Sequence, residues 1–521
     1  MARSETGSGF EPLEQLYTAA ASRELDRQAI ADGVPGMELM RRAGRAVFDA
    51  LLDGWPSLRT VSICCGRGNN AGDGYVVARL ALEQGLAVQL VQLGDPAALT
   101  GDAATARDEA VAAGLSISTS ADGQAGLTGE VIVDALLGTG LKGAARGVFA
   151  TLIDIMNGTG RPIIAVDIPS GVEADTGAAP GSAVRAHTTI TFIGRKIGLC
   201  TGAGVALAGK VRFATLGVGN EIRAGVTGVD WLTFAGAIAR AGLPRRTADA
   251  YKQSMGHVAV VGGDTSMGGA PLMAGEAALR CGAGMVTVIT RGAHRNAILS
   301  RRPEIMVADA DDDVLLGEVL DRATTLVAGP GLGRGEWGAS LLARVLARPV
   351  PLILDADGLY LLAASGARPP AGTIVTPHVA EAARLLDSTV AEVQADRLAA
   401  AAALAERVGG VAVLKGAGSV IASAVDRTAE GKARVIGICA HGNPGMATAG
   451  MGDVLAGIVG SLRAQHLSSD DAAVLGTTLH SHAADRAAGR LGMASLLATD
   501  IFPDLIDALR SAVAAGPSRD G

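Results

Sequence analysis

Short runs of β-branched residues alternate with amphipathic helical stretches through both halves of this 521-residue chain. That rhythm constrains the fold more than any other feature. In the first half the candidate strands are Thr60–Cys65, Ala87–Leu93, Glu130–Leu136, Pro162–Asp167, Thr188–Ile193 and Lys210–Leu216. Helical stretches at Tyr75–Gln84, Asp102–Ala113 and Val148–Met156 lie between them, after opening helices at Ala19–Asp32 and Gly36–Leu52. Strand–helix–strand order of this kind predicts a mostly parallel, doubly wound sheet with ligands at the C-terminal ends of its strands.

The rhythm breaks over Gly225–Thr247 and restarts at His257-Val-Ala-Val-Val-Gly-Gly263. Strands are then predicted at Val258–Val261, Met285–Ile289, Thr325–Ala328, Leu352–Asp355, Thr373–Thr376, Val411–Leu414 and Ser419–Ala422. Alanine-rich helices are predicted at Val390–Arg407, Asp453–Gln465 and Asp470–Ala488. There is no fixed-period repeat, so the halves are two different α/β domains rather than a duplication. We expect a Rossmann-like domain over 13–235, a second α/β/α domain over 245–515, and a linker at 236–248. Residues 1–12 read as a disordered leader.

Composition excludes several classes. A net charge of −7 argues against a nucleic-acid or membrane surface, so any phosphate must be held by local donors rather than a basic field. No stretch reaches transmembrane length, and Met1-Ala-Arg-Ser-Glu5 lacks a hydrophobic signal core. The five cysteines, Cys64, Cys65, Cys200, Cys281 and Cys439, show no metal-type spacing and read as reduced core residues of a cytoplasmic protein.

The stretch Asn443-Pro-Gly-Met-Ala-Thr-Ala-Gly-Met-Gly-Asp453-Val-Leu-Ala-Gly457 carries the most chemistry. Gly450 and Gly452 form a side-chain-free turn whose backbone N–H groups can close on an anion. The apolar run behind them reads as a helix whose N-terminus adds a positive field. Asp453 at that mouth would repel phosphate unless it had a task, such as taking a proton from a hydroxyl about to be phosphorylated. A capping aspartate in a glycine turn is the plainer alternative.

This wording resembles the ribokinase-like superfamily and, within it, the ADP/ATP-dependent NAD(P)H-hydrate dehydratases. Four further motifs follow in the order that family shows. Gly262-Gly263-Asp264…Gly268-Gly-Ala270-Pro271 resembles its opening loop, which implies a substrate contact at Ala270. Gly329-Pro-Gly331-Leu-Gly333 follows a strand and implies substrate contacts at Gly331 and Gly333. Thr376-Pro377-His378 implies a nucleotide contact at His378, although Val379-Ala380 replaces the usual Pro-Gly before Glu381. Leu414-Lys415-Gly416-Ala417-Gly418-Ser419 resembles the turn that such kinases set near the adenine nucleotide. At the domain entrance Asp249-Ala-Tyr251-Lys252 departs from the usual Asp-Ser-His-Lys-Gly.

The resemblance implies repair of NADH or NADPH that has added water across the nicotinamide C5–C6 bond. ADP would phosphorylate the 6-hydroxyl, and the ring nitrogen would then expel phosphate. Asp453 would be the base, and the amides of Gly450 to Gly452 would stabilise the transferred phosphoryl. Mg²⁺ is expected for such chemistry, although no ligand pair is readable.

In the first half, Gly66-Arg-Gly68-Asn69-Asn70-Ala71-Gly72-Asp73-Gly74 ends a strand and leads to the helix expected near Tyr75. It resembles the Gly-x-Gly-Asn-Asn-Gly-Gly-Asp-Gly signature of NAD(P)H-hydrate epimerases, with Ala71 for one glycine. Val133-Asp134-Ala-Leu-Leu-Gly138-Thr139-Gly140-Leu141-Lys142-Gly143 and Val166-Asp167-Ile-Pro169-Ser170-Gly171 are similar to that family too. The resemblance implies substrate contacts along Asn69–Asp73 and Gly138–Gly143, an acid/base at Asp167, and K⁺ bound by Asn70, Asp134 and Ser170. Taken alone, Asp134 or Asp167 could instead cap a following helix. Where that family has Leu-Met-Glu-Asn-Ala-Gly, this chain has Leu39-Met-Arg41-Arg42-Ala-Gly44. Either those arginines meet substrate phosphate or this half has drifted.

The reading is a bifunctional enzyme that epimerises R and S hydrates in its first domain and dehydrates the S form with ADP in its second. Its relatives suggest a homo-oligomer. The alternative is a ribokinase-like small-molecule kinase fused to a non-catalytic Rossmann-like binding or scaffold module.

Overall fold

The computed structural model describes residues 14–243, 246–428 and 430–515. The leader expected at residues 1–12 lies outside them. The chain divides into two compact units, one spanning Gln15–Val229 and one running from Asp230. The division falls before the linker expected at 236–248. The sequence reading missed the strand Val229–Leu232 and the helix Phe234–Ala241, whose Leu232 and Ala237 join the core of the second unit.

In the first unit an all-parallel sheet runs Ile117–Ser120, Ala87–Leu93, Thr60–Cys65, Val131–Ala135, Ile163–Val166, Thr188–Phe192, Lys210–Ala214. The order turns back between Thr60–Cys65 and Val131–Ala135, so the crevice at their C-terminal ends is the topological switch point. Both strands are buried almost throughout, which is why they read as largely apolar runs, with Ser62 and Asp134 the buried polar exceptions. Burial also holds the Cys64 and Cys65 thiols well above their usual range, as inert core groups.

The helix placed near Tyr75 starts earlier, at Asn69. Its first turn therefore contains the whole Asn69–Asp73 motif. Ala71 sits there fully buried and at ordinary helical φ, so its methyl needs no left-handed backbone. Gly44 explains the close helix crossing: a Cβ there would come within 2.5 Å of Val76 and 3.0 Å of the Asp73 carbonyl.

The second unit is a mixed sheet in the order Met306–Asp309, Met285–Thr290, His257–Val261, Thr325–Ala328, Leu352–Leu354, Ile374–Val375, Val411–Leu414, Val420–Arg427, Ala433–Cys439. Pairing is parallel up to Val411–Leu414 and antiparallel for the next two strands. Trp231 and Leu232 add a parallel edge against Ile438 and Cys439. The helices Gly269–Arg280, Met451–Ala464 and Ser469–Leu491 supply nearly half of the buried apolar side chains of the main core. Gly457 allows the first two to cross at backbone contact, since a Cβ there would lie 2.0 Å from the Ala274 carbonyl oxygen. The single helix expected at Val390–Arg407 is two, Val390–Ala395 and Arg397–Val408. Asp396 breaks it by leaving helical geometry and accepting the Ala399 N–H through its side chain at 2.9 Å.

Candidate active sites

In the second unit four loops gather at the C-terminal ends of central strands. Gly263 and Asp264 donate to the carbonyls of Pro330 and Gly331 at 3.0 and 2.7 Å, joining the first two glycine loops. Gly331, at φ 58°, passes so close to Ala270 that a Cβ would meet that methyl at 3.2 Å. Gly333, at φ 74°, donates its N–H to Asp357 at 3.0 Å. Lys415 donates its backbone N–H to the Pro377 carbonyl at 2.9 Å, tying its loop to the Thr376-Pro377-His378 loop.

Asp453 occupies the first turn of Met451–Ala464. The N-cap is Gly450 at φ 91°, and no side chain caps that end, so Asp453 is not a capping residue. Burial, with the nearby Asp355 carboxylate, pushes its carboxyl up to about 7, against the pull of Lys415. Asp355 is 1% exposed and accepts from Lys415 Nζ at 2.6 Å. Gly452 leaves room for that pair, since a Cβ would lie 2.8 Å from Asp355 Oδ2 and 3.1 Å from Lys415 Nζ. Burial disfavours the Lys415 ammonium, yet Asp355, Glu381 and Asp453 together hold its pKa above the ordinary value. Burial likewise raises the Glu381 carboxyl.

His378 turns out to cap the helix Val379–Leu385. Its Nδ1 accepts from the N–H groups of Ala380 and Glu381 at 3.1 and 3.3 Å, while Glu381 Oε2 accepts from the His378 N–H at 2.8 Å. Its Nε2 lies 3.3 Å from Glu381 Oε1, on a side chain that remains exposed. The Lys415 turn is held from below by Arg397, whose guanidinium is 1% exposed and donates to the carbonyls of Leu414 and Lys415 at 3.1 and 3.3 Å. Gly416, at φ 143°, is needed there: a Cβ would lie 3.0 Å from that guanidinium. Ala417, Gly418 and Ser419 complete the turn, with Ser419 Oγ donating to the Gly416 carbonyl at 3.3 Å. Asp485 explains the front of the long motif. It accepts from the Gly442 N–H at 3.0 Å and from Asn443 Nδ2 at 2.9 Å, while Asn443 Oδ1 caps Gly445.

The first unit has its own cluster. Asp134 is fully buried at a strand end and caps no helix. It accepts from the Ser170 hydroxyl at 2.6 Å, the Ser170 N–H at 2.8 Å and the Leu136 N–H at 3.2 Å. Burial lifts its carboxyl to about 6 despite those donors. Ser170 Oγ in turn accepts the Leu137 N–H at 2.8 Å. Gly138 abuts Asn70, whose side chain would be 3.5 Å from a Cβ there, and Gly143, at φ 76°, donates to Glu173 at 2.6 Å.

Asp167 sits at φ 66°, an uncommon backbone state for a side-chain-bearing residue. Its carboxylate accepts from Thr191 Oγ1 at 3.1 Å, from the Phe192 N–H at 3.3 Å and from the buried Lys196 ammonium. It is no cap either. Burial, then the neighbouring Asp167 and Asp26 charges, keep the Asp73 carboxyl well above its usual range. Arg41 and Arg42 are engaged within the chain, with Glu109 at 2.5 Å and with Glu38 at 2.9 Å, and Arg42 also donates to the Leu216 carbonyl at 2.8 Å. Among the described residues, no three acidic, histidine or cysteine groups converge as a metal-binding set.

Each of the two α/β units carries glycine loops and perturbed carboxyls at its strand ends, the features of an enzyme. Residues 258–506 match the family described as NAD(P)H-hydrate dehydratase, and residues 36–198 match the one described as YjeF-related protein N-terminus. The chain is 46% identical to the bifunctional NAD(P)H-hydrate repair enzyme of Coxiella burnetii, covering 94% of this chain and 98% of that one. It is 44% identical to the Escherichia coli enzyme of the same description, covering 91% and 89%. An ADP/ATP-dependent NAD(P)H-hydrate dehydratase from Bacillus subtilis, co-crystallised with ATP and Mg²⁺, is 26% identical over 55% of this chain and 99% of that one, with a TM-score of 0.47. The chain belongs to the family of bifunctional NAD(P)H-hydrate repair enzymes. Among the described residues, no helix is long and apolar enough to cross a membrane.

Proposed function

We propose that the second unit dehydrates the S hydrate of NADH or NADPH at the expense of ADP, and that Gln15–Val229 interconvert the R and S hydrates. The observation that carries the first assignment is Asp453, half-buried on a helix N-terminal turn beside the Lys415–Asp355 pair. A base with a pKa near the working pH combines a useful ionised fraction with real proton affinity. Asp453 takes the 6-hydroxyl proton as the oxygen attacks the terminal phosphoryl of ADP. The N–H groups at Gly450–Gly452 and the Lys415 ammonium receive the charge that builds on that phosphoryl. The ring-nitrogen lone pair then expels phosphate, and loss of the C5 proton restores the double bond. Mg²⁺ would enter with the nucleotide. The exposed His378 imidazole and the backbone at Ala270, Gly331 and Gly333 are the proposed hydrate contacts.

This arrangement fixes a pH dependence. The base works when ionised, so kcat for dehydration should climb about tenfold per pH unit below a midpoint of about 7 and level off above it. A profile flat from pH 5.5 to 8.5 under chemistry-limited conditions would remove Asp453 from the proton transfer. Lys415→Ala has two expected effects. The apparent KM for ADP rises about tenfold, more than that for the hydrate. Burying Asp355 without its partner also costs about 3 kcal/mol, read as a lower midpoint in urea. A larger effect on the hydrate KM would put the nucleotide elsewhere in the cleft.

In the first unit, epimerisation requires one bond at C6 to open and reclose. C6 carries both the hydroxyl and the ring nitrogen, so the hydrate is a cyclic hemiaminal. Asp167 takes the hydroxyl proton, C6=O forms, and the C6–N1 pair moves to nitrogen, which takes a proton from Asp73. Rotation and the reverse steps give the other epimer, with no redox change. Asp73, whose carboxyl burial holds well above its usual range, suits the acid, and Asp167 beside the Lys196 ammonium suits the base. Asn69–Asp73 and Gly138–Gly143 would hold the substrate.

Asn70, Asp134 and Ser170 offer hard oxygen donors that fit K⁺. Asn70 Nδ2 has no hydrogen-bond partner among the described residues, so that amide is free to turn its oxygen to a cation. Potassium there would neutralise Asp134 and pin the neighbouring loops. A buried acid–base cluster of this kind argues against an inert scaffold. A homo-oligomer in the cytoplasm, taking hydrated NADH or NADPH and ADP as its small-molecule partners, completes the proposal. The test is an absorbance assay near the reduced-nicotinamide band on each epimer, with ADP or ATP supplied in turn.

A further inference from the structure

Neither proposed reaction uses Lys196, although this buried cation lies against the first unit's site. Its residue is 3% exposed, and Nζ donates to Asp167 Oδ1 and to the Phe192 carbonyl, the latter at 3.0 Å. The exposures within the ion pair differ: 4% for the lysine side chain and 16% for the aspartate. The ammonium is thus the more enclosed of the two, and the carboxylate keeps part of its surface exposed. Asp167 is further fixed by Thr191 Oγ1 and the Phe192 N–H, on a backbone held at φ 66°. Burying an ammonium is costly unless a charged partner is close, so a lysine used only to join strands would be an expensive choice. The charge of Lys196 also reaches Asp26 and Asp73, where it opposes the upward push of burial and of Asp167.

We propose that Lys196 is the positioning residue of the epimerisation site, holding the Asp167 carboxylate in line with the C6 hydroxyl and balancing its charge in both directions of proton transfer. The inference rests on reading Asp167 as the base. Lys196 does not touch the substrate. One of its N–H groups is spent on the Phe192 carbonyl, and another fixes which Asp167 oxygen stays free. An ordered base of this kind acts on turnover rather than on binding. A side chain that served only the fold would instead show itself in stability.

The test compares full-length Lys196→Met, Lys196→Arg and Asp167→Asn with the parent chain. The R hydrate of NADH is supplied in the presence of K⁺ and excess ADP, so that epimerisation limits the rate. The S hydrate supplies an internal control for an intact second unit. Lys196→Met is expected to lose roughly 100-fold in kcat on the R hydrate with KM changed less than threefold, at unchanged rate on the S hydrate. Lys196→Arg keeps the cation and should recover at least a tenth of the parent rate.

Hydrogen exchange across Val131–Ala135 checks that the first unit of each variant is folded. If Lys196→Met proves unfolded, the Arg variant decides, and a folded Lys196→Arg as slow as Asp167→Asn overturns the proposal. A folded Lys196→Met with near-parental kcat, beside an inactive Asp167→Asn, also overturns it while leaving Asp167 as base. An active Asp167→Asn overturns the reading of Asp167, and this inference with it.

Discussion

Asp453→Asn should stop dehydration of the S hydrate while the fold and ADP binding persist. The amide is nearly isosteric, and no side-chain cap is lost because Gly450 ends the helix. What disappears is the proton acceptor, and such groups contribute roughly 10²- to 10⁴-fold in rate. Two secondary readouts separate this from a binding defect. ADP affinity by calorimetry should hold within a few-fold, since removing a negative charge beside a phosphate does not weaken binding. Any residual activity should also lose the limb that the parent shows near pH 7. A variant that regenerates the reduced nicotinamide at close to the parental rate would leave Asp453 with an electrostatic task only.

Asp167→Asn should leave the S hydrate untouched as a reaction and stall the R hydrate. The carboxylate is the only group proposed to take the C6 hydroxyl proton in the first unit, so its loss should cost 10²-fold or more. Turnover of the R form would then fall to its slow spontaneous interconversion. The substitution also leaves Lys196 facing a neutral partner. A lower unfolding midpoint of the first unit should therefore accompany the kinetic effect, worth about 3 kcal/mol. Unaltered conversion of the R hydrate would move the base elsewhere, with Asp73 the next group to test.

Much of this architecture is written in local patterns. The bounds of Thr60–Cys65, Thr325–Ala328 and Val411–Leu414 coincide with the β-branched runs, because strands buried on both faces carry largely apolar sequence; those of Ala87–Leu93 coincide too, although its first three residues are not buried. Strands escaped notice where that rule fails. Ile117–Ser120 and Met306–Asp309 are partly exposed, and Ala433–Cys439 is interrupted by Arg434 and Gly437. Glycine loops were legible because positive φ and close backbone approach demand glycine at Gly331, Gly333 and Gly450.

The partners of the acids were not legible. Asp355 meets Lys415 across 60 residues, and Lys196 meets Asp167 across 29, so no spacing rule links them. Arg397 reads as one more surface cation of an alanine-rich helix until the break at Asp396 turns it under the Lys415 loop. Such residues are found only when the sheet order brings strand ends together.

One progress curve separates the two reactions most directly. An equimolar mixture of R and S hydrates of NADH is given excess ADP, Mg²⁺ and K⁺, and absorbance of the reduced nicotinamide is followed to completion. The parent chain is predicted to convert the whole mixture, Asp167→Asn to plateau near half before a slow drift, and Asp453→Asn to rise at least ~10²-fold more slowly than the parent. A parent curve that itself stops near half, or an Asp167→Asn curve that overlays the parent, would contradict the assignment of two reactions to two sites.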